Sequence, residues 1–360
     1  MIWTADFDVI TPLFGAGNDQ NVPEIRLSSI KNEIVFWWRA ITFQSYVADT
    51  REAAPYREAL SRLQQDERLL FGDATRGQGL FVAALISNSC SKDKTDKSEA
   101  PGKKFAKNLF KDKNSGLAYM GYGLAERTNG TANRQYWDNA CFTLKLRFKP
   151  TVTRDATTDE LLTSLYRAIR MTGLVGAFGG RKRRGYGSLS LRAFEGCPYC
   201  DEFVPVVDAS DFKQQISALA GSRDVSGRRW QLSAFAKETE IRIWNSGDFK
   251  SGQHALEEAG NEFRTYRSWK SSQERRASPL IFRIARVGKV YVPVAIFFDN
   301  LFLPNFENGT DGTLKIAGDR NAKYRYERQG ILDFLDGSVR QGSAGSRGSA
   351  RDAPFGERIA

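Results

Sequence analysis

The stretch that decides the fold is residues 176–187, which reads GAFGGRKRRGYG. Its five glycines allow the backbone to adopt positive φ angles and to approach a ligand closely. Their N–H groups can form an anion-binding concavity, and the four consecutive cations attract phosphates of any base sequence. Tyr186 adds a ring on which a base can stack. The stretch predicts an RNA-binding loop, and a solvated basic turn is the simpler alternative.

Regular elements are predicted on both sides of this loop. Apolar residues recur at helical spacing before it, and a strand pattern follows it. In chain order, the predicted elements are a strand at 2–10, a helix over 28–41, strands at 80–86 and 141–148, a helix over 157–171 and a strand at 188–194. This β-α-β-β-α-β order is that of the ferredoxin-like or RRM topology. The predicted fold class is therefore α+β with antiparallel sheets.

The length of 360 residues exceeds the usual size of one domain, so two domains are expected. Residues 88–116 are polar and Lys-rich with little periodicity, which predicts a flexible insertion. The C-terminal residues are rich in Gly, Ser, Ala and Arg, and we expect them to be disordered. The predicted units are an N-terminal domain at 1–195, a C-terminal domain at 196–336 and a disordered tail at 337–360.

The charge balance predicts the class of partner. Lys and Arg number 53 against 42 Asp and Glu, and the net charge of +11 favours phosphate backbones or other anionic surfaces. Residues 170–187 hold five cations and no acid, and residues 264–289 hold eight cations and one acid. The longest apolar stretches are far shorter than the ~20 residues that cross a bilayer, and the start of the chain lacks a secretory signal pattern. We therefore expect a soluble, cytoplasmic protein with no membrane partner.

Two further segments carry candidate RNA contacts. The helix start at 26–31 has two serines and two cations where free N–H groups favour a phosphate, although ordinary capping explains it equally well. The segment 264–283 interleaves cations with Tyr and Trp, which suits an RNA surface or a plain solvated helix face. Trp37 and Trp38 are expected in the core. The candidate RNA-binding residues are Gly15, Gly17, Arg26, Ser28, Ser29, Lys31, Arg39, Gly179, Gly180, Arg181, Lys182, Arg183, Arg184, Gly185, Tyr186, Arg275, Arg276 and Ser278.

Catalytic and metal chemistry has little support in the sequence. His254 is the only histidine, and it stands at a predicted helix start where capping or exposure is the simple interpretation. Cys197 and Cys200 have the spacing of zinc and redox motifs, but no further ligand stands at zinc spacing. A structural pair of thiols is the favoured interpretation. We expect no catalytic residue, no metal and no cofactor.

In their order along the chain, these segments resemble the RAMP superfamily of CRISPR-associated proteins. The stretches that carry the resemblance are Thr11-Pro12, the Gly15–Gly17 loop, the helix from Arg26 to Ala40, Leu70-Phe71-Gly72 and the loop 179–189. Within that superfamily, Phe36-Trp37-Trp38-Arg39, Tyr119–Gly123 and Arg276–Leu280 are most similar to the first-subunit family of the type III-B (Cmr) effector complex. The resemblance extends over about residues 1–300, with gaps at 88–116 and 196–250.

The resemblance implies two ferredoxin-like domains and a place in a crRNA-guided ribonucleoprotein of antiviral defence. It implies a non-catalytic subunit that holds the 3′ region of crRNA and helps to capture complementary target RNA beside other Cmr-type subunits. Asn32-Glu33 stands where the family usually has small or basic residues, which is expected to weaken anion binding at that helix start. The alternative is a metal-independent endoribonuclease that processes crRNA precursors on the same fold. His254, or Lys182 with Tyr186, would then be acid and base.

Overall fold

The computed structural model describes residues 1–19, 22–48, 56–75, 77–86, 102–105, 109–124, 134–150, 155–198, 203–221, 226, 232–244, 249–266, 279–299, 307–308, 314–315, 318–337, 355 and 357–359. The helices are α1 (Leu27–Ala48), α2 (Tyr56–Phe71), α3 (Gly116–Met120), α4 (Ala156–Val175), α5 (Ala209–Ala220), α6 (Gly252–Tyr266) and α7 (Gly318–Leu335). The strands are β1 (Ile2–Val9), β2 (Gly72–Asp73), β3 (Gly77–Gln78), β4 (Phe81–Ile86), β5 (Gly102–Phe105), β6 (Gln135–Asp138), β7 (Cys141–Phe148), β8 (Leu189–Glu195), β9 (Glu240–Ile243), β10 (Leu280–Val287), β11 (Val290–Phe297), β12 (Glu307–Asn308), β13 (Leu314–Lys315) and β14 (Glu357–Arg358).

The first sheet has the strand order β4-β7-β1-β8, and all its pairs are antiparallel. Helix α1 follows β1 and helix α4 joins β7 to β8, so the predicted β-α-β-β-α-β order is observed. Strand β1 alternates because Trp3, Phe7 and Val9 point into the core while the intervening residues face away from it. Asp155 begins α4 by accepting a hydrogen bond from the Thr158 backbone N–H, which explains the helix start.

The second sheet has the order β10-β11-β9-β14, again with antiparallel pairs. Helix α6 follows β9 and helix α7 precedes β14, so this unit repeats the element order of the first. Its last strand, Glu357–Arg358, was expected to be part of a disordered tail, and that expectation is wrong for these residues. Phe355 beside it is 1% exposed. Composition does not reveal this two-residue strand, although the buried apolar residues Phe355 and Ile359 lie on either side of it.

The insertion predicted as flexible at 88–116 is also partly ordered. Strand β5 within it pairs with β6 in a separate two-stranded sheet. Leu109 and Phe110 are buried, and Ser115 caps helix α3 by accepting a hydrogen bond from Ala118 N. Residues 88–101 and 106–108 lie outside the described residues.

Two hydrophobic cores hold these layers together. One core joins the inner face of the first sheet, helices α1 and α4, and one face of β10 and β11. The other core joins the opposite face of β10 and β11 to α3, α6 and α7. Trp37 and Trp38 are fully buried in the first core, as predicted. Helices α1 and α4 therefore lie between the two sheets. Among the described residues, no helix is long and apolar enough to span a bilayer.

Replacing Phe355 tests whether the C-terminal strand contributes to stability. We expect Phe355→Ala to lower the free energy of unfolding by about 3–5 kcal/mol, because it removes a buried ring. That ring lies 5.1 Å from Phe334 and 5.6 Å from Trp244 between ring centroids. Urea denaturation gives the measurement, and Phe355→Leu, which refills most of the volume, should cost clearly less. A Phe355→Ala protein as stable as its parent would contradict the packing.

Candidate nucleic-acid interface

The basic loop, residues 176–187, needs its glycines for its own geometry. Gly187 has a φ of 63°, and a Cβ there would lie 2.1 Å from the Phe178 carbonyl oxygen. Gly179 has a φ of 90°, and a Cβ there would lie 2.8 Å from the Phe14 oxygen. Side chains at these two positions would clash with backbone. The glycines therefore allow the loop to pack against the segment that follows β1.

The amide groups of the basic loop are mostly used inside the protein. Gly180 N donates to Phe14 O at 2.7 Å, and Gly187 N donates to Pro12 O at 3.0 Å. Gly185 N donates to Lys182 O at 3.3 Å. An N–H group engaged in this way is not available to a phosphate, so the expected anion-binding concavity does not form at these glycines.

Tyr186 was predicted to stack on a base, and the structure contradicts that role. The side chain is 0% exposed, and its hydroxyl donates to Leu117 O at 2.8 Å. Burial raises the pKa of this hydroxyl well above its ordinary value. Gly185 beside it is buried as well, and a Cβ added at this glycine would lie 2.7 Å from the Leu256 side chain. The aromatic ring therefore anchors the loop to the helix α3 region and cannot meet RNA.

The Glu33 carboxylate organises the charges of the loop, and we call Glu33, Lys182 and Arg283 the Glu33 cluster. Glu33 Oε2 accepts from Lys182 Nζ at 2.8 Å, and Oε1 accepts from Ala177 N at 2.9 Å. Arg283 Nη2 lies 3.3 Å from Oε1, and both side chains are 1% exposed. Trp37 Nε1 also donates to Oε1, at 3.0 Å. One carboxylate thus faces two cations, and the cluster keeps a net positive charge.

Arg283 lies on strand β10 of the second sheet and links the Glu33 cluster to the basic loop. Its Nε donates to Val175 O at 2.7 Å, and Nη1 donates to Lys182 O. Next to it, Phe282 N donates to Arg183 O at 3.0 Å. Arginine suits this position because its planar group satisfies several acceptors at once. Strand β10 therefore fixes the backbone of the basic loop.

The pKa values of the cluster follow from its burial and its charges. Burial opposes ionisation of Glu33, but the charges of Arg283 and Lys182 and two hydrogen bonds outweigh it, so the pKa of its carboxyl is lowered. Burial also lowers the pKa of Arg283, against the attraction of Glu33. For Arg183, burial together with the nearby Arg283 charge lowers the pKa to about 10. Glu33 and Arg183 are therefore charged at neutral pH.

Several of the predicted residues are exposed at least in part. Arg26 and Ser28 are exposed at the start of α1, and Arg181 is exposed on the basic loop. The Lys182 side chain keeps 36% exposure despite its pair with Glu33. Because Ser29 precedes Glu33 by four residues on α1, its partly exposed side chain lies one turn away on the same helix face. The pair of Lys182 with Glu33 therefore joins the basic loop to α1, and each of the two segments keeps an exposed cation.

The remaining candidates have structural partners. Arg39 forms a bidentate pair with Glu67, with both N–O distances at 2.5 Å, and Lys31 Nζ donates to Phe71 O at 2.8 Å. Both contacts tie α1 to α2. Arg183 lies 5.6 Å from the Phe36 ring centroid and Arg184 lies 4.8 Å from that of Phe263. At Gly15, a Cβ would lie 2.5 Å from the backbone oxygen of Glu24, so this glycine serves packing, whereas Gly17 faces only the flexible side chain of Glu24.

The second basic segment does not form one continuous surface in the described part of the chain. Arg275, Arg276 and Ser278 lie outside the described residues. Arg264 donates to Asn114 O, Arg286 pairs with Asp8 at 3.4 Å, and Arg283 is buried. Three of its eight cations are therefore engaged within the protein.

Sequence reasoning missed the roles of Glu33 and Arg283. Glu33 was expected to weaken anion binding, yet its carboxylate points inward and positions Lys182. The signal was available: Glu33 shares a helix face with Ile30, Ile34 and Trp37, and an acid on an apolar face needs a buried cation. Arg283 likewise interrupts the apolar strand LIFRIARV. What could not be read was that these two residues, 250 positions apart, meet.

Comparison with known proteins places this geometry in context. A model of the RAMP superfamily matches residues 6–190. The Cmr subunit Cmr1-1 of Pyrococcus furiosus is 22% identical over an alignment 312 residues long, which covers 78% of this chain and 82% of that protein. The apo crystal structure of Cmr1 from the same organism aligns with a TM-score of 0.56 at 18% identity, covering 91% of this chain and 97% of that one. A chain of the type III-B Cmr-beta complex bound to cognate target RNA aligns with a TM-score of 0.53 at 11% identity, covering 90% and 99%.

Mutating the Glu33 cluster tests its structural role. We expect Glu33→Gln and Arg283→Met each to lower the free energy of unfolding by about 3–5 kcal/mol, because each removes one partner of a buried ion pair. The double variant should lose less than the sum of the two. Glu67→Gln, at the more exposed pair with Arg39, is a matched control with an expected cost of about 0–1 kcal/mol. Additive losses in urea denaturation would show that Glu33 and Arg283 are not coupled.

The lowered pKa of Glu33 predicts a pH dependence of stability. Its ordinary pKa is 4.5, so its stabilising contribution is complete above that value and is lost as the pH falls through the lower native pKa. The stability difference between the parent protein and Glu33→Gln should be constant from about pH 5.5 to pH 8 and should shrink below 4.5. Thermal unfolding at a series of pH values measures this difference. A difference that grows on acidification would contradict the assigned direction.

Proposed function

Because the chain belongs to the RAMP superfamily, we propose that it is a non-catalytic RNA-binding subunit of a type III-B CRISPR effector ribonucleoprotein. In this role it holds the 3′ region of crRNA and helps to capture complementary target RNA beside other Cmr-type subunits. The matched family model confirms the superfamily that the sequence resembles. The alignments with a Cmr subunit and with a Cmr-beta complex bound to target RNA support the more specific role.

The same proposal assigns both sheets to ferredoxin-like units. Each sheet is built from β-α-β-β-α-β elements, and in each the third strand lies between the first and the second. That order, with the fourth strand beside the first, supports the ferredoxin-like topology in both halves. The second unit then extends to β14, beyond the boundary at residue 336 predicted from sequence.

The observation that carries RNA binding is the excess of positive charge at the Glu33 cluster. Two cations share one carboxylate there, and Arg181 on the basic loop and Arg26 at the start of α1 are both exposed. Cations that hold a phosphate backbone need no base-specific geometry, which suits a subunit that accepts guides of many sequences. Since Tyr186 is buried, the proposed contact is to the backbone rather than by stacking on that ring.

The proposal of a non-catalytic subunit is supported by the surroundings of the candidate acid–base groups. The Tyr186 hydroxyl is buried and hydrogen-bonded to a backbone carbonyl, and Lys182 is paired with Glu33. Neither arrangement suits proton transfer to a scissile phosphate. His254 is 58% exposed and lies 4.0 Å from Glu258, at the start of α6. A lone exposed imidazole is weak support for the endoribonuclease alternative.

The exposed cations provide the decisive test of RNA binding. We expect the double variant Arg26→Ala/Arg181→Ala to bind crRNA more weakly for all sequences and to reduce the salt slope by about one to two, as for two lost phosphate contacts. Lys289→Ala removes an exposed cation in the turn between β10 and β11 and is the matched control. Fluorescence anisotropy over a salt series measures both quantities. An unchanged slope in the double variant would refute contact at this surface.

The same RNA samples distinguish the alternative function. Incubating the parent protein with repeat RNA in EDTA should leave the RNA intact. Specific cleavage that is lost in His254→Ala would instead favour a metal-independent endoribonuclease.

A further inference from the structure

Strand β4 lies at the open edge of the first sheet and has an unusual composition for an edge. Its six residues read FVAALI, with no charged side chain and no proline. Val82 and Ile86 are each 44% exposed, and Ala84 between them is exposed as well. In the described part of the chain, β4 pairs with β7 alone. A long apolar edge of this kind invites pairing with another strand.

The hydrogen-bond pattern shows which polar groups of β4 point outward. Lys149 N donates to Leu80 O at 3.0 Å, and the register pairs Val82 with Arg147 and Ala84 with Lys145. In an antiparallel pair, alternate residues direct both N–H and C=O to the same neighbour. The residues facing away from β7 are therefore Phe81, Ala83 and Leu85. Their backbone groups form a template for one more strand.

The other edges of the two four-stranded sheets are protected in familiar ways. Strand β8 carries the exposed Arg192 and Glu195, and its pairing with β1 contains a register shift. The edge of β10 is covered by the basic loop, since Phe282 N donates to Arg183 O. Strand β14 has only two residues. Charges, irregular pairing, covering segments and shortness are the devices that block edge pairing, and β4 has none of them within the described residues.

The outer face next to this edge indicates the chemistry of the partner. On β4 and β7 it presents Val82, Ala84, Ile86 and Thr143, together with the exposed cations Lys145 and Arg147. These two strands carry no aromatic residue and no carboxylate on that face. Base stacking is therefore unsupported there, and apolar side chains with carboxylates are the complementary set. A second copy is disfavoured because each chain carries a net charge of +11.

We propose that the edge of β4 is the docking site for an extended segment of a companion effector subunit, which pairs as an added strand. Apolar residues at alternate positions of that segment pack beside Val82 and Ile86, and acidic residues reach Lys145 and Arg147. This mode gives affinity through backbone hydrogen bonds and specificity through alternate side chains. The inference rests on the proposed function as an effector subunit, and it names the surface through which the subunit assembles.

Substitution at Ala83 tests the added strand. Ala83→Pro removes an outward N–H and leaves the bonds to β7 in place, so we expect association with the companion subunits to weaken about tenfold or more. Ala83→Ser keeps the N–H at the same position and should associate normally. Circular dichroism checks that both variants fold.

A second pair of variants leaves the backbone unchanged. Ala84→Glu should repel the acidic segment, whereas Ala193→Glu, on the same face of the sheet at the opposite edge, should not.

Hydrogen exchange of the full chain identifies the occupant. We expect the β4 amides to exchange about tenfold more slowly in the assembled complex, while the β8 amides change little. Equal exchange in the free and assembled protein, or normal association of Ala83→Pro and Ala84→Glu, would overturn the proposal. Protection by crRNA alone would assign the edge to RNA. Protection of β4 that rises with the concentration of the isolated chain would show that a second copy occupies the edge. Protection of β4 in the isolated chain at every concentration would show that a segment of the same chain occupies it.

The parent protein separates this inference from the proposed function. If it binds crRNA and joins the complex while β4 stays unprotected, only the docking edge is wrong. If it neither binds crRNA nor joins the complex, the proposed function fails and the docking edge fails with it.

Discussion

The buried pair of Glu33 and Arg283 is the interaction on which the rest of the structure depends. It joins helix α1 of the first unit to strand β10 of the second, and the basic loop packs between them. Two charges at 1% exposure are costly to desolvate, and they persist only where further hydrogen bonds satisfy both groups. Ala177, Trp37, Val175 and Lys182 supply those bonds. The position of the loop is therefore tied to the way the two units pack.

This constraint divides the four consecutive cations into different roles. Lys182 pairs with Glu33, while Arg183 and Arg184 lie against the rings of Phe36 and Phe263. Arg181, with a positive φ of 59°, is left exposed at the tip. A single run of basic residues thus supplies both the attachment of the loop and its charged outer surface. A positive surface rigidly attached to the fold can hold a flexible RNA backbone without reordering at each encounter.

The surface around Arg26 and Arg181 and the edge of β4 differ in the physical interactions that would govern them. The surface around Arg26 and Arg181 would act through charge, so its interactions weaken as salt rises. The edge of β4 would act mainly through backbone hydrogen bonds and apolar packing, so that salt would weaken only its ion pairs at Lys145 and Arg147. Two separate surfaces on one chain would allow the proposed RNA and the proposed neighbouring subunit to bind independently. Burial alternates along β1 and β4, so every second side chain faces away from the helices. On β4, these outward side chains form the apolar surface beside the edge.

The periodicity of apolar residues was enough to predict the element order of the first unit, and the order of the motifs was enough to predict the superfamily. Both are local properties of the chain. The sequence did not reveal that Tyr186 is buried, that Glu33 meets Arg283, or that Glu357–Arg358 completes the second sheet. Burial and pairing of this kind arise from contacts between residues far apart in the chain. Only the tertiary structure decides them, because the free energy of a charge or a ring depends on which distant groups surround it.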